Sequence, residues 1–151
     1  YKSYYNYKDS DKIKYMQNLH YDPTTFDADY DANGTEYSSF PLLCEDNVYD
    51  VLISDKAGVE CCSWINLIHP LDTYDGTLKT LFEGELKDRV VTAQDSANHT
   101  SAYAIDISGT DFANRMNLGY NDVYLSFPGN SEENVDHIIK LLNYIFDLGI
   151  E

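Results

Sequence analysis

The chain has 151 residues, 26 Asp and Glu against 10 Lys and Arg, a formal net charge of −16, and 14 tyrosines. A field this negative repels phosphate backbones and anionic lipid surfaces and attracts cations and basic protein surfaces, which excludes nucleic acid as a partner. No apolar run reaches the roughly 18 residues of a spanning helix, so no direct membrane insertion is expected of this segment, and 43% hydrophobic content supports one domain with a core.

Residues 1–21 read as a stalk and a short helix, and 22–151 as a single domain. Tyr1-Lys-Ser-Tyr-Tyr-Asn-Tyr has no clear period, and four of the ten basic residues fall in the first 14 positions. Ser10 can cap a helix over 11–19, with Ile13 and Met16 facing in. Asp22-Pro23 ends it. Residues 22–40 are acidic and rich in turn formers. Alternation over 48–54, with Tyr49, Val51 and Ile53 on one face, predicts a strand. Asp55-Lys56-Ala57-Gly58 then reads as a hairpin loop, and 59–68, apolar on both faces, as a central strand with Trp64 in the core. His69-Pro70 stops it. Asp75-Gly76 signals a turn before a further extended run over 77–86.

Runs at 89–92 and 101–108 flank a polar loop and predict paired strands. In the second, Tyr103, Ile105 and Ile107 share one face. Residues 109–121 form a Gly/Asn-rich connection, and Val123, Leu125 and Phe127 alternate in a last strand. The C-terminal helix is capped at Asn130 or Ser131. Val135, Ile138, Ile139, Leu142, Ile145 and Phe146 follow helical spacing up to a stop at Gly149. The fold class is α+β: an antiparallel sheet of about five or six strands, with the C-terminal helix and a short N-terminal helix packed on one face. The other sheet face is expected to meet solvent and to supply a binding surface.

Asp29-Tyr-Asp31-Ala-Asn33-Gly34-Thr35 reproduces the first half of an EF-hand loop, with oxygen ligands at alternate positions and a glycine at the sharp turn. Asp29, Asp31, Asn33 and Thr35 are the candidate ligands for Ca²⁺, the one cofactor the sequence suggests. Phe40 stands where the loop requires a bidentate Glu, so a site here is not a full EF-hand. The four histidines lack the company of zinc motifs, and Glu133 and His137 make an i, i+4 helix pair. Cys44, Cys61 and Cys62 form no disulfide framework and read as small buried side chains. Acid pairs such as Glu83/Glu85, which would share one strand face, and Asp72/Asp75 are a weak hint of a glycosidase, and Cys61 or Cys62 with His69 or His99 has no local signature of a thiol nucleophile and base. No catalytic residue is assigned, and the protein is not expected to be an enzyme.

These features point to an acidic domain that neutralises a partner by occlusion, most concretely an immunity-type protein or inhibitor of a secreted bacterial toxin. The partner is a toxin or enzyme with a basic surface. Charge steers it, and tyrosines supply rigid contact area. Tyr21, Asp27, Asp29, Tyr30, Asp31, Tyr37, Asp72, Tyr74 and Asp75 are the expected contact residues. Eight Lys to two Arg, with abundant Asn, Tyr and Ile, suggests a low-GC bacterium. An extracytoplasmic location, anchored through a signal or membrane segment upstream, is expected. The rival readings are a calcium-stabilised accessory domain of an exported lipoprotein or surface protein, and a cytosolic DNA-mimic inhibitor.

Overall fold

The computed structural model describes residues 34–150, with side chains from Ser39 onward; the stalk and the helix expected over 11–19 lie outside the described residues. The elements run α1 (Gly34–Glu45), β1 (Leu52–Ser54), α2 (Lys56–Trp64), a 3-10 turn (Leu71–Thr73), α3 (Gly76–Glu83), a second 3-10 turn (Lys87–Arg89), β2 (Val90–Gln94), β3 (Thr100–Asp106), α4 (Asp111–Met116), β4 (Tyr124–Ser126) and α5 (Glu132–Phe146). The strands form one antiparallel sheet in the order β1-β4-β3-β2. The α+β class and the C-terminal helix match the sequence reading, with four strands in place of five or six.

Two segments expected to be strands are helices. The Asp55 side chain accepts from Gly58 N–H at 2.9 Å, so Asp55 is an N-cap and not a hairpin residue. Beyond it Val59, Cys62 and Ser63 fall at i, i+3, i+4 and are buried. A continuous apolar run serves a buried helix as well as a central strand, and the cap decides between them. Gly58 allows the tight passage from β1 into α2, since a Cβ there would lie 2.7 Å from Ser54 Cβ. Trp64, expected in the core, is 46% exposed, because the helical period turns it out of line with Val59 and Cys62. In α3, Leu78, Leu81 and Phe82 repeat the same spacing and are buried. Glu83 therefore ends a helix and Glu85 follows it, so the two do not share a strand face. The connection over 109–121 contains α4, capped by the Thr110 side chain.

Helices cover both faces of the sheet. On one, Ile53, Ile105 and Leu125 pack with Leu78, Leu81 and Phe82 of α3 and with Ile138 and Leu142 of α5. On the other, Leu52, Val91, Ala104 and Tyr124 pack with Phe40 and Cys44 of α1 and Val59 and Cys62 of α2. The solvent-facing sheet surface anticipated from the antiparallel pattern is thus occupied. Tyr103 also leaves the face of Ile105 and Ile107. The β2–β3 register passes from Val91↔Ala104 to Thr92↔Ala102, skipping Tyr103. That bulge sends its ring to the α1–α2 side.

Ser131 caps α5 and forms a capping box with Asn134. The helix stops before Gly149, at Asp147 in the left-handed region (φ 51°). Cys44, Cys61 and Cys62 are free and buried in the α1–α2 layer. Burial, helped by the charge of Glu45, pushes the Cys44 thiol up to about 12. Burial, with the thiols of Cys61 and Cys44 beside it, raises Cys62 as well.

A raised thiol stays protonated and poorly nucleophilic at neutral pH. A thiol-exchange reagent is therefore expected to leave the three cysteines unlabelled in the native protein and to titrate all of them in denaturant; rapid native labelling would contradict the burial. Ser126 Oγ, between Leu52 and Ala104 in the register, is buried with no hydrogen-bond partner among the described residues. Ser126→Ala removes that unmet hydroxyl and should stabilise the fold by about 1 kcal/mol in denaturant unfolding. A lower midpoint would mean that the hydroxyl has a partner.

Candidate protein-binding surface

The antiparallel topology gathers four connections at one end of the sheet. β1 enters opposite the point where β4 leaves, in the pair Leu52↔Ser126, and the β2–β3 turn lies at the same end, since Ala104 also pairs with Ser126. Segments 46–51, 65–75, 95–99 and 127–131 therefore meet. His69 N–H donates to the Phe127 carbonyl at 2.9 Å, and the Tyr74 hydroxyl donates to the Gly129 carbonyl at 2.8 Å. Asn130 N–H donates to Asn47 Oδ1 at 3.0 Å. At the end of α2, the Ser63 hydroxyl donates to the Gln94 carbonyl at 2.9 Å and Asn66 reaches Ser96.

Asn134, on the first turn of α5, organises this end. Its amide donates to the Asn47 carbonyl at 3.1 Å and to Asp50 Oδ1 at 2.7 Å. Its own oxygen accepts from Ser131 N–H at 3.2 Å. His137, one turn on, sets Nδ1 against both carboxylate oxygens of Asp50 at 3.0 and 3.1 Å. The expected pairing of His137 with Glu133 is replaced by this bond to a residue 87 positions away. Sequence reasoning missed both Asn134 and Asp50. The spacing of Ser131 and Asn134 signals a cap, but nothing local signals a partner so distant in the chain.

The pole so formed is acidic. Asp46, Asp50, Asp72, Asp75, Asp95, Glu132 and Glu133 lie on its segments or on the adjoining helix starts, and no Lys or Arg does. Burial, together with the charges of Asp95 and Asp72, raises the Tyr103 phenol. The Asp95 carboxyl is held below its ordinary range, mainly by the His99 N–H, with the Ala97 N–H adding. His69, His99 and His137 all lie at this end. Burial lowers His69, against an opposing hydrogen bond at the Pro128 backbone, so it is neutral at pH near 7. Helices α1 and α2 end at this pole with no basic residue in their last turns, and α3 and α5 begin here, so the helix dipoles offset one another and the negative field is that of the carboxylates. Two apolar side chains accompany them: Leu42, 61% exposed in the last turn of α1, and Trp64, closing α2.

Of the expected contact residues, Asp72 and Asp75 are exposed here. Tyr74 between them is only 3% exposed. Burial raises its phenol well above the ordinary range, so it serves as an internal pin and offers no contact area. Tyr21, Asp27, Asp29, Tyr30, Asp31 and Asn33 lie outside the described residues. Thr35 and Tyr37 belong to the first turns of α1, where backbone alone is described. Gly34 and Thr35, the sixth and seventh positions of the half EF-hand pattern, thus open a helix. Among the described residues no group of three His, Cys, Asp or Glu is arranged to hold a metal ion. At the opposite end, between α4 and the last turn of α5, an open groove of about 510 Å³ is lined by Phe112, Met116, Tyr144 and Ile145 with charges of both signs, Asp111, Arg115 and Asp147.

No protein-family model, no curated protein and no solved structure matches this chain.

The pole depends on close approach at Gly129. A Cβ there would lie 2.6 Å from the Tyr49 carbonyl and 2.6 Å from Asn134 Cγ. Gly129→Ala must push these groups apart and is expected to cost about 2 kcal/mol in denaturant unfolding. A cost near zero would show that the junction yields easily.

Proposed function

We propose that this chain is a protein-binding domain that neutralises a basic partner by covering it, as an immunity protein or inhibitor of a secreted bacterial toxin does. The observation that carries the reading is the segregation of charge: one end of the sheet presents carboxylates from three of its four connections and from the first turn of α5, with no Lys or Arg among them. A carboxylate-lined end attracts a basic surface over several ångströms and raises the association rate. Contact then buries side chains at the pole and excludes water from whatever cleft or basic patch the partner presents. Such a role needs no catalytic group. The pole lies at the ends of covered layers, so the partner would meet loops and helix ends and not a sheet face. An extracytoplasmic protein held near the cell surface would meet a secreted toxin before it acts, and the proposal includes that location.

The test is association kinetics against the partner captured from the native organism. Charge reversal at Asp46, Asp72 and Asp75 should lower the association rate about tenfold at low salt and flatten its salt dependence. Reversal at Glu83 and Glu85, beyond the far end of α3, should leave both nearly unchanged. Equal effects from the two sets would remove the pole from the interface.

A further inference from the structure

We propose that the groove between α4 and the last turn of α5 binds a small apolar zwitterion, an aromatic amino acid or a short peptide containing one, with Arg115 holding its carboxylate. The site is separate from the acidic pole, since α5 has its first turn there and its last turn here.

The groove is one continuous surface. Phe112 and Met116 of α4 and Tyr144 and Ile145 of α5 line an open space of about 510 Å³, within the roughly 300–1,000 Å³ of ordinary small-molecule sites. All four side chains are half-buried. Phe112, Met116 and Ile145 pack inward on the core, so the floor is held by the fold while part of each side chain stays accessible. The Phe112 and Tyr144 rings meet edge to face, with centroids 6.2 Å apart at 84°, a geometry that fixes both rings as a platform.

The charges beside this floor do not neutralise one another. Asp111 and Arg115 stand at i, i+4 on α4, the spacing at which Asp136 and Lys140 pair at 2.8 Å on α5. Yet the side chains of Asp111, Arg115 and Asp147 make no ion pair or hydrogen bond among the described residues. All three are exposed. A guanidinium presents a planar fork that takes a carboxylate through two N–H···O bonds. Asp111 and Asp147 offer acceptors to an ammonium group. An apolar body covers Met116 and Ile145 and packs on the two rings. A purely cationic ligand leaves Arg115 unmatched, and a purely anionic one meets two carboxylates. A zwitterion with an apolar body complements the whole lining.

The experiment is a titration of the full chain labelled with methyl-¹³C methionine. The chain has two methionines, Met16 and Met116, and Met116→Leu identifies the signal from the groove. Phenylalanyl-leucine should move the Met116 methyl saturably, with a dissociation constant of about 1 mM or below. Its C-terminal amide and its N-acetyl derivative each lack one charge and should bind about tenfold more weakly. Glycylglycine, with both charges and no apolar body, should leave the methyl in place. Arg115→Gln should weaken the dipeptide about tenfold and bring acid and amide to the same affinity, with the denaturant midpoint unchanged. Lys140→Gln, which removes a charge from mid-α5, should leave the affinity nearly unchanged. A Met116 methyl that phenylalanyl-leucine does not move overturns the proposal. Equal binding of acid and amide by the unaltered protein, or full affinity in Arg115→Gln, overturns it as well, because the guanidinium would then not hold the carboxylate.

Discussion

The chain turns from β4 into α5 through a space that admits no side chain, and the acidic end of the molecule is assembled around that turn. Gly129 lets the Tyr49 carbonyl and Asn134 close on the backbone. Asn134, 3% exposed, then donates to Asn47 and Asp50 and accepts from Ser131. Strands β1 and β4 are three residues each, too short to hold their register through ladder bonds alone. Side-chain bonds from α5 to the segment preceding β1 supply what the ladder lacks. A buried amide with its partners removed costs about 1–3 kcal/mol, so the Asn47–Asp50 segment is held more firmly than its loop character suggests. Tyr74 ties a third segment to the same carbonyl run.

Covering both sheet faces changes where recognition can occur. With one face open, a partner would meet alternating side chains of four strands. With both faces closed, the ends of the layers and the outer helix surfaces are what remains among the described residues. The tyrosines follow the same logic. Tyr74 and Tyr103 are buried, and Tyr49 and Tyr124 pack against the α1–α2 cluster. Among the described residues tyrosine thus fills the core as much as it offers contact area, and the exposed aromatic at the acidic end is Trp64.

The sequence carried the C-terminal helix, the β2–β3 pair and β4 plainly, because each has one period and a recognisable cap or turn. It misled at 55–68 and 77–86. There the apolar positions satisfy both periods, and a single side chain, Asp55, decides by bonding Gly58 N–H. Leu78, Leu81 and Phe82 do carry helical spacing, yet Asp75-Gly76 reads as a hairpin turn when taken alone. The bulge at Tyr103 leaves no mark in the pattern, because it arises from pairing with β2. Of the candidate surface, Asp72 and Asp75 were legible as exposed acids after a proline. The bond between Asp50 and His137, and the exposure of Trp64, depend on long-range packing that no local window contains.

The distribution of charge also bears on how the fold tolerates it. The N-terminal end of α5 favours anions, and Glu132 and Glu133 occupy its first turn. Asp95 is stabilised as a carboxylate by two backbone N–H groups. At the far end Arg89 stacks over Phe146 at 4.9 Å and donates to the Asp106 carbonyl, so one of the few cations serves packing there. Asp72 and Asp75 stand at helix starts as well, in the first turn of the 3-10 helix and at the N-cap of α3, whereas Asp46 follows the C-terminal end of α1. Their mutual repulsion persists in the free protein and is relieved when positive charge arrives. That relief is available to any cation, so charge by itself selects weakly among basic partners.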